Sequence, residues 1–270
     1  MEDLLSNPAV QGGVAPFFAG LVVALALAPF RLGGLSVFAA FLTCTYFVSG
    51  LQLTPLTAMR KLLIVAIAAP VVGVLADFAF KPTRAGAALL SIAAAAAALW
   101  MLWPVISAKP AQQVWLLTGT AVISMAFAVG FAQSQLSFDG VRAGAAGLAM
   151  GLGVGIAAII GASAVIGLQG IALGAGAGAF LLPQMIRGKK SFAGATLTLT
   201  AMLPAGLLAA AAMVLAQLPW YSVLTLAAVP VAARLPVPQR ASVWLQALLC
   251  SLYSFVVAGV ACALAWPTTQ

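Results

Sequence analysis

The chain has 270 residues, 64% of them hydrophobic and only 6% charged, with a formal net charge of +8 and no histidine. A soluble domain of this size needs roughly a quarter of its residues charged to dress its surface, so no soluble catalytic domain is expected. The twelve Lys and Arg are scattered among short polar stretches instead of clustering on one face, which excludes nucleic acid as a partner.

The length accommodates about ten apolar spans with short loops. The expected fold is therefore an all-α polytopic transmembrane bundle of nine to eleven spans, forming one integral membrane domain over residues 1–270. The acidic start, Glu2 and Asp3, with no basic residue before Arg31, does not read as a signal peptide.

In chain order, the first span runs from about Val14 to Pro29, and Arg31, Gly33 and Gly34 connect it to the second, Leu35 to Leu51. Thr45, Ser49 and Gln52 sit at i, i+4 and i+7 in that span, a narrow polar stripe on one helical face. The third span, Leu62 to Phe80, holds Pro70 and Asp77, and Lys81 is spaced to pair with Asp77. The fourth, Ala87 to Ile106, carries an alanine run in which Ala94 is expected to face lipid. The fifth covers Val114 to Ala132, and a polar connection leads to Asp139, which suits the N-cap of the sixth.

From Ala143 to Ile186 there is no charged side chain. This length is roughly twice what one crossing needs, so it reads as a helical hairpin near the middle of the chain, turning between Gly161 and Gly170. Gly147, Gly151 and Gly155 line one face of its first helix, and Gly170, Gly174 and Gly178 line one face of its second. Such small-residue grooves let helix backbones approach closely inside a bilayer.

Arg187, Lys189 and Lys190 follow as the strongest basic cluster, read first as a topology determinant and second as an anionic-lipid contact. Span eight runs from Phe192 to Leu215, span nine from Pro219 to Leu235 with Pro230 inside it, and span ten from Ser242 to Trp266. With ten spans, nine basic residues fall on one side of the membrane and three on the other. That asymmetry places the Lys189 loop in the cytoplasm, both termini outside, and the protein in the cell (inner) membrane. A weak parallel repeat relates residues 14–106 to 165–266, through matches such as Pro70 with Pro230 and Trp103-Pro104 with Trp266-Pro267.

Asp77 is the acidic residue inside a span, and intramembrane charge is a functional hypothesis by default. Around it, the stretch Gly73 to Arg84 resembles the loop signature of the major facilitator transporters: a glycine, an aspartate four residues on, then basic residues at the next helix start. It departs from that signature in having Phe78 after the aspartate, in lacking the second glycine, and in following span three instead of span two. Neither a fold nor a site is carried across.

Asp77, Thr45, Ser49, Gln52, Gln169 and Gln184 are the candidate solute or ion path, while Gln246, Cys250 and Ser254 form a second stripe and Thr196, Thr198 and Thr200 add hydroxyls to span eight. Side chains of these kinds can equally link helices by hydrogen bonds. Cys44, Cys250 and Cys262 form no CxxC pair and read as small core residues. No catalytic residues, no metal site and no cofactor are expected, since paired carboxylates, metal-ligand clusters and a P-loop are absent from the sequence. The first reading is a permease of a small solute. The alternative is a non-transporting membrane subunit or assembly factor binding partner helices, and the third is an intramembrane enzyme. The expected partners are the lipid bilayer, a small solute, and further copies or partner membrane helices.

Overall fold

A computed structural model of the chain describes residues 7–79, 83–238 and 240–266, and among these residues every regular element is helical. Helix α1 (Ala15–Leu27) is extended by a π turn, Val10–Val14, and a 3₁₀ turn, Ala28–Phe30. It is followed by α2 (Leu35–Val48), α3 (Ala58–Ala79), α4 (Arg84–Ile106) and α5 (Ala111–Phe131), the last continuing into a π turn, Ala132–Leu136. Then come α6 (Gly140–Ile160), α7 (Ala164–Arg187), α8 (Gly194–Leu215), α9 (Trp220–Ala227), α10 (Val229–Ala232) and α11 (Val243–Ala265).

Eight of these segments are long and apolar enough to cross a bilayer: Val10–Phe30, Ala58–Ala79, Arg84–Ile106, Ala111–Leu136, Gly140–Ile160, Ala164–Arg187, Gly194–Leu215 and Val243–Ala265. The chain is a multi-pass membrane protein. Two further apolar segments, Leu35–Val48 and Trp220–Ala232, are shorter. At 1.5 Å per residue each rises only ~20 Å, less than the hydrocarbon thickness. Both nevertheless join opposite ends of the bundle. The start of α2 packs on the start of α8, where a Cβ on Gly34 would lie 2.8 Å from Leu197 Cα, and α2 ends beside the start of α3, where Arg60 bonds Gln52 of the loop between them. Segment α9–α10 begins beyond the C-terminus of α8 and ends where Arg142, near the start of α6, bonds the carbonyls of Ala233 and Leu235.

Local chemistry sets the helix boundaries. Arg31 takes a left-handed φ of 62° after the 3₁₀ turn, and Gly50 (φ 70°) closes α2. Thr83 caps α4 by accepting from Gly86 N–H at 3.0 Å, and Asp139 caps α6 by accepting from Val141 and Arg142 N–H. Pro230 at the head of α10 has no N–H, and the helix breaks before it at Ala228, leaving α9 and α10 as separate pieces. Pro70, Pro104, Pro183 and Pro204 lie within continuous helices.

The glycine hairpin forms, with its turn at residues 161–163, but the helix at the centre of the bundle is the next one. Helix α8 is buried from Gly194 through Val214, enclosed by α2, α3, α4, α5, α6, α7 and α9. Its sequence explains how so many neighbours fit: it has no aromatic or charged side chain and is rich in alanine, with a run from Ala209 to Ala212. The hairpin turn rests on its far end, where a Cβ on Gly161 would meet Ala216 O at 2.7 Å. Outside, all six tryptophans are exposed and lie within two turns of helix ends. Ala94, expected to face lipid, is 2% exposed; the alanine run turns Ala93 and Ala96 outward instead.

Within the hairpin, α6 and α7 meet at glycines. A Cβ on Gly151 would stand 2.7 Å from Gly174 Cα, and one on Gly170 would stand 2.7 Å from Gly155 Cα. Gly147 instead faces Ala201 of α8 and Ala177 at 3.1 and 3.2 Å, and Gly178 has only Leu148 nearby, at 3.5 Å.

Candidate functional site

The richest polar constellation lies where α8 begins. A helix leaves its first four N–H groups without intrahelical partners, and burial denies these four water. Those of Gly194, Ala195 and Thr196 find acceptors outside the helix, and Leu197 N–H begins the intrahelical ladder. Gly194 N–H donates to Ser137 O at 3.0 Å and Leu197 N–H to Ala193 O at 3.1 Å. Between them, Ala195 N–H donates to Asp77 Oδ1 (2.6 Å) and Thr196 N–H to Asp77 Oδ2 (2.8 Å). Thr196 Oγ1 also donates to Oδ2, at 2.6 Å. A carboxylate from another helix thus caps α8, and its negative charge complements the positive end of the helix dipole.

Two glycines make this reach possible. Gly73 lies one turn before Asp77 on the same face of α3, and a Cβ there would be 2.8 Å from Thr196 Cα. Its bare backbone brings α3 close enough for the short Asp77 side chain to touch α8. Gly194 has φ 63° and faces the Asp77 carboxylate, so a side chain there is excluded by both conformation and space. The glycine and aspartate that carried the transporter-loop resemblance are thus accounted for by helix capping.

A second ring of bonds surrounds the connection from Gly188 to Ala193. Asp139 Oδ2 accepts from Lys190 Nζ at 3.1 Å and lies 3.6 Å from Arg142 Nε. Gln184 donates through Nε2 to Phe180 O (3.1 Å) and accepts at Oε1 from Ser191 N–H (2.9 Å). Ser137 Oγ donates to Gln133 O (2.7 Å). Arg142 Nη1 donates to both Ala233 O and Leu235 O at 3.0 Å, satisfying carbonyls at the end of α10. Elements α3, α5, α6, α7, α8 and α10 are therefore tied together at this end. It holds Arg31, Arg142, Arg187 and Lys190, and is termed the basic end below.

The sequence-derived path residues are divided between places. Asp77 and Gln184 belong to this constellation. Thr45 and Ser49 lie toward the opposite end of α2 and donate to their own helix, to Phe41 O at 2.8 Å and Thr45 O at 3.2 Å. The stripe expected to continue to Gln52 is interrupted: α2 stops at Val48, Gly50 turns the chain, and Gln52 sits in an exposed loop accepting from Arg60 Nη2 at 3.2 Å. Gln169 is 3% exposed, and its Oε1 has no hydrogen-bond partner. Thr198 and Thr200 donate back to Gly194 O and Thr196 O, and Thr200 Oγ1 also lies 3.2 Å from Gly34 O. Gln246, Cys250 and Ser254 do share the buried face of α11. The Asp77–Lys81 pairing lies outside the described residues.

Ser137 and Gly194 were not singled out from sequence. A signal existed: the chain entering α8, Ser191-Phe192-Ala193, offers no Ser, Thr, Asp or Asn immediately before Gly194, so a buried start there demands a cap from elsewhere. Among the described residues no group of three Cys, Asp or Glu is placed to hold a metal ion. A scan against protein-family models and a search of curated proteins return no match for the chain.

Proposed function

We propose that the chain is a permease for a small polar solute. The supporting observation is a set of four buried side-chain atoms without a hydrogen-bond partner: Thr118 Oγ1, Gln133 Nε2, Gln169 Oε1 and Ser222 Oγ. A buried polar atom left unsatisfied costs about 1–3 kcal/mol, and native structures meet that demand with water or ligand. Thr118 and Gln133 lie fifteen residues apart on α5 and its π turn, a rise of ~22 Å. Polar atoms in need of partners thus occur near both ends of one helix, and Gln133 sits in a π turn, a deformation frequent at functional sites. The broken segment α9–α10 bears Ser222 and matches the interrupted helices that line transporter cavities. In this reading the segments Leu35–Val48 and Trp220–Ala232 are crossings too, ten in all, and the basic end faces the cytoplasm.

Stopped-flow light scattering of proteoliposomes, with outward and inward gradients of glycerol, urea and similar neutral solutes, tests the proposal. Faster equilibration than in protein-free liposomes, slowed by Gln169→Leu at unchanged folded yield, is the expected result. Equilibration no faster than in protein-free liposomes across the panel removes the permease reading.

A lateral groove of about 540 Å³ between α1, α7 and α11, lined by residues such as Phe17, Gly178, Leu182, Leu252 and Phe255, favours the second reading, a membrane subunit receiving a partner helix. There the liposomes stay impermeable, and a photo-crosslinker at Leu252 yields one discrete protein adduct in native membranes.

A further inference from the structure

Two of the cations at the basic end are not used by the network just described. Arg31, in the turn between α1 and α2, and Arg187, in the last turn of α7, line one small cleft with Gly33, Pro183, Ser191 and Phe192. Among the described residues the ion pairs are those of Asp139 with Arg142 and Lys190, so neither guanidinium has a carboxylate partner. Asp77 is committed to the start of α8.

The cleft is built, not incidental. The Arg31 guanidinium stands over the Phe192 ring at 5.8 Å from its centroid, which restrains a long side chain. Arg31 itself sits at φ 62°, a conformation that few non-glycine residues adopt, and this sets the direction in which its side chain leaves the turn. Gly188 at φ 64° ends α7 directly after Arg187. The free volume is about 20 Å³, enough for one water-sized group. One or two oxygen atoms of an anion fit; a bulky solute does not.

Depth within the membrane narrows the ligand. Phe30 is 64% exposed and Ile186 is 75% exposed, and each directly precedes one of the two arginines. The cleft therefore lies where a lipid-facing apolar surface gives way to exposed cations, the level of the headgroup phosphates. Guanidinium forks match phosphate oxygens in charge and in bidentate geometry.

We propose that the cleft between Arg31 and Arg187 binds a phosphate oxyanion, presented by the headgroup of an anionic phospholipid. The proposal is independent of transport, because its readout is binding. Delipidated protein is titrated with phosphatidylglycerol, or with diacylglycerol as the phosphate-free control, and adducts are counted by native mass spectrometry. Inorganic phosphate is tested separately for thermal stabilisation and for competition with the lipid.

R31Q/R187Q is expected to weaken phosphatidylglycerol binding roughly tenfold or more, leaving diacylglycerol binding unchanged. R31K/R187K, which keeps charge but loses the forks, falls between that variant and the wild type. K109Q/R234Q, matched for lost charge, binds as wild type does. Stabilisation and competition by inorganic phosphate, lost in R31Q/R187Q, assign the site to free phosphate and uphold oxyanion recognition; lipid binding without them assigns it to the headgroup. Equal phosphatidylglycerol affinity in wild type and R31Q/R187Q, with no phosphate stabilisation of either, overturns the proposal. R187Q alone, on an exposed helix end, gives the same comparison should the double variant fail to fold.

Discussion

Asp77 and Thr196 are 119 positions apart in sequence and joined twice, the carboxylate accepting from the Thr196 backbone N–H at 2.8 Å and from its hydroxyl at 2.6 Å. Asp77→Ala removes the acceptor for two buried N–H groups at once. Charge-assisted bonds and caps of this kind contribute about 2 kcal/mol, and the loss appears as a lowered unfolding temperature in detergent. Asp77→Asn retains one acceptor oxygen and loses less. If Asp77→Asn instead keeps wild-type stability while solute uptake disappears, Asp77 acts in coupling and capping is secondary.

Gly194→Ala attacks the same cap from the other side, by placing a methyl group against the Asp77 carboxylate at a left-handed backbone position. Its cost should shrink in an Asp77→Ala background, because the obstructed partner is gone. A double-mutant cycle measures this coupling; strict additivity of the two changes contradicts the shared contact.

For the hairpin, Gly151→Ala and Gly170→Ala are expected to lower folded yield sharply, since their Cβ atoms would fall within 3 Å of backbone across the α6–α7 interface. Overpacking costs typically about 1–3 kcal/mol and more where backbone must move. Gly119→Ala and Gly259→Ala, with nothing within 4 Å, are the controls. Fluorescence-detected size-exclusion chromatography distinguishes the two groups, and equal yields rule out close packing as the role of these glycines.

Arg142→Gln removes the donor that holds the carbonyls of Ala233 and Leu235. Amide exchange over α9–α10 should accelerate, while exchange in α8 stays slow. Uniform acceleration of both instead makes Arg142 a determinant of global stability.

Topology is read by cysteine labelling after Cys44, Cys250 and Cys262 are replaced by alanine. Cysteines at Lys189 and Arg240 are expected to react from the cytoplasmic side, and cysteines at Gly50 and Lys109 from the outer side. Labelling of Lys189 and Lys109 from the same side breaks the alternating arrangement.

Much of the architecture is legible in composition and punctuation. Apolar runs long enough to span a bilayer become helices because the backbone has no other partner there, and breaks marked by glycine or proline, such as Gly188 and Pro219, fall where the chain turns. The cap at Asp139 is equally local, since residue and recipient N–H groups lie within three positions. Gln52 shows where such reading fails. An i+7 spacing implies one helical face only while the helix lasts, and Gly50 ends it first.

By itself, then, the sequence determined that this is a helical membrane protein, the approximate limits of its helices, and the glycine-lined faces of Gly140–Ile160 and Ala164–Arg187, because these depend on solvent transfer and on neighbours a few residues away. Only the tertiary structure decided that Gly194–Leu215 is the enclosed helix, that Asp77 belongs to its first turn, and that Arg31 and Arg187 share a cleft. In a chain whose helices are all apolar, hydropathy does not distinguish a helix that faces lipid from one that faces protein. That choice is made by close backbone contact and by where buried N–H groups find acceptors, and both join residues far apart in sequence.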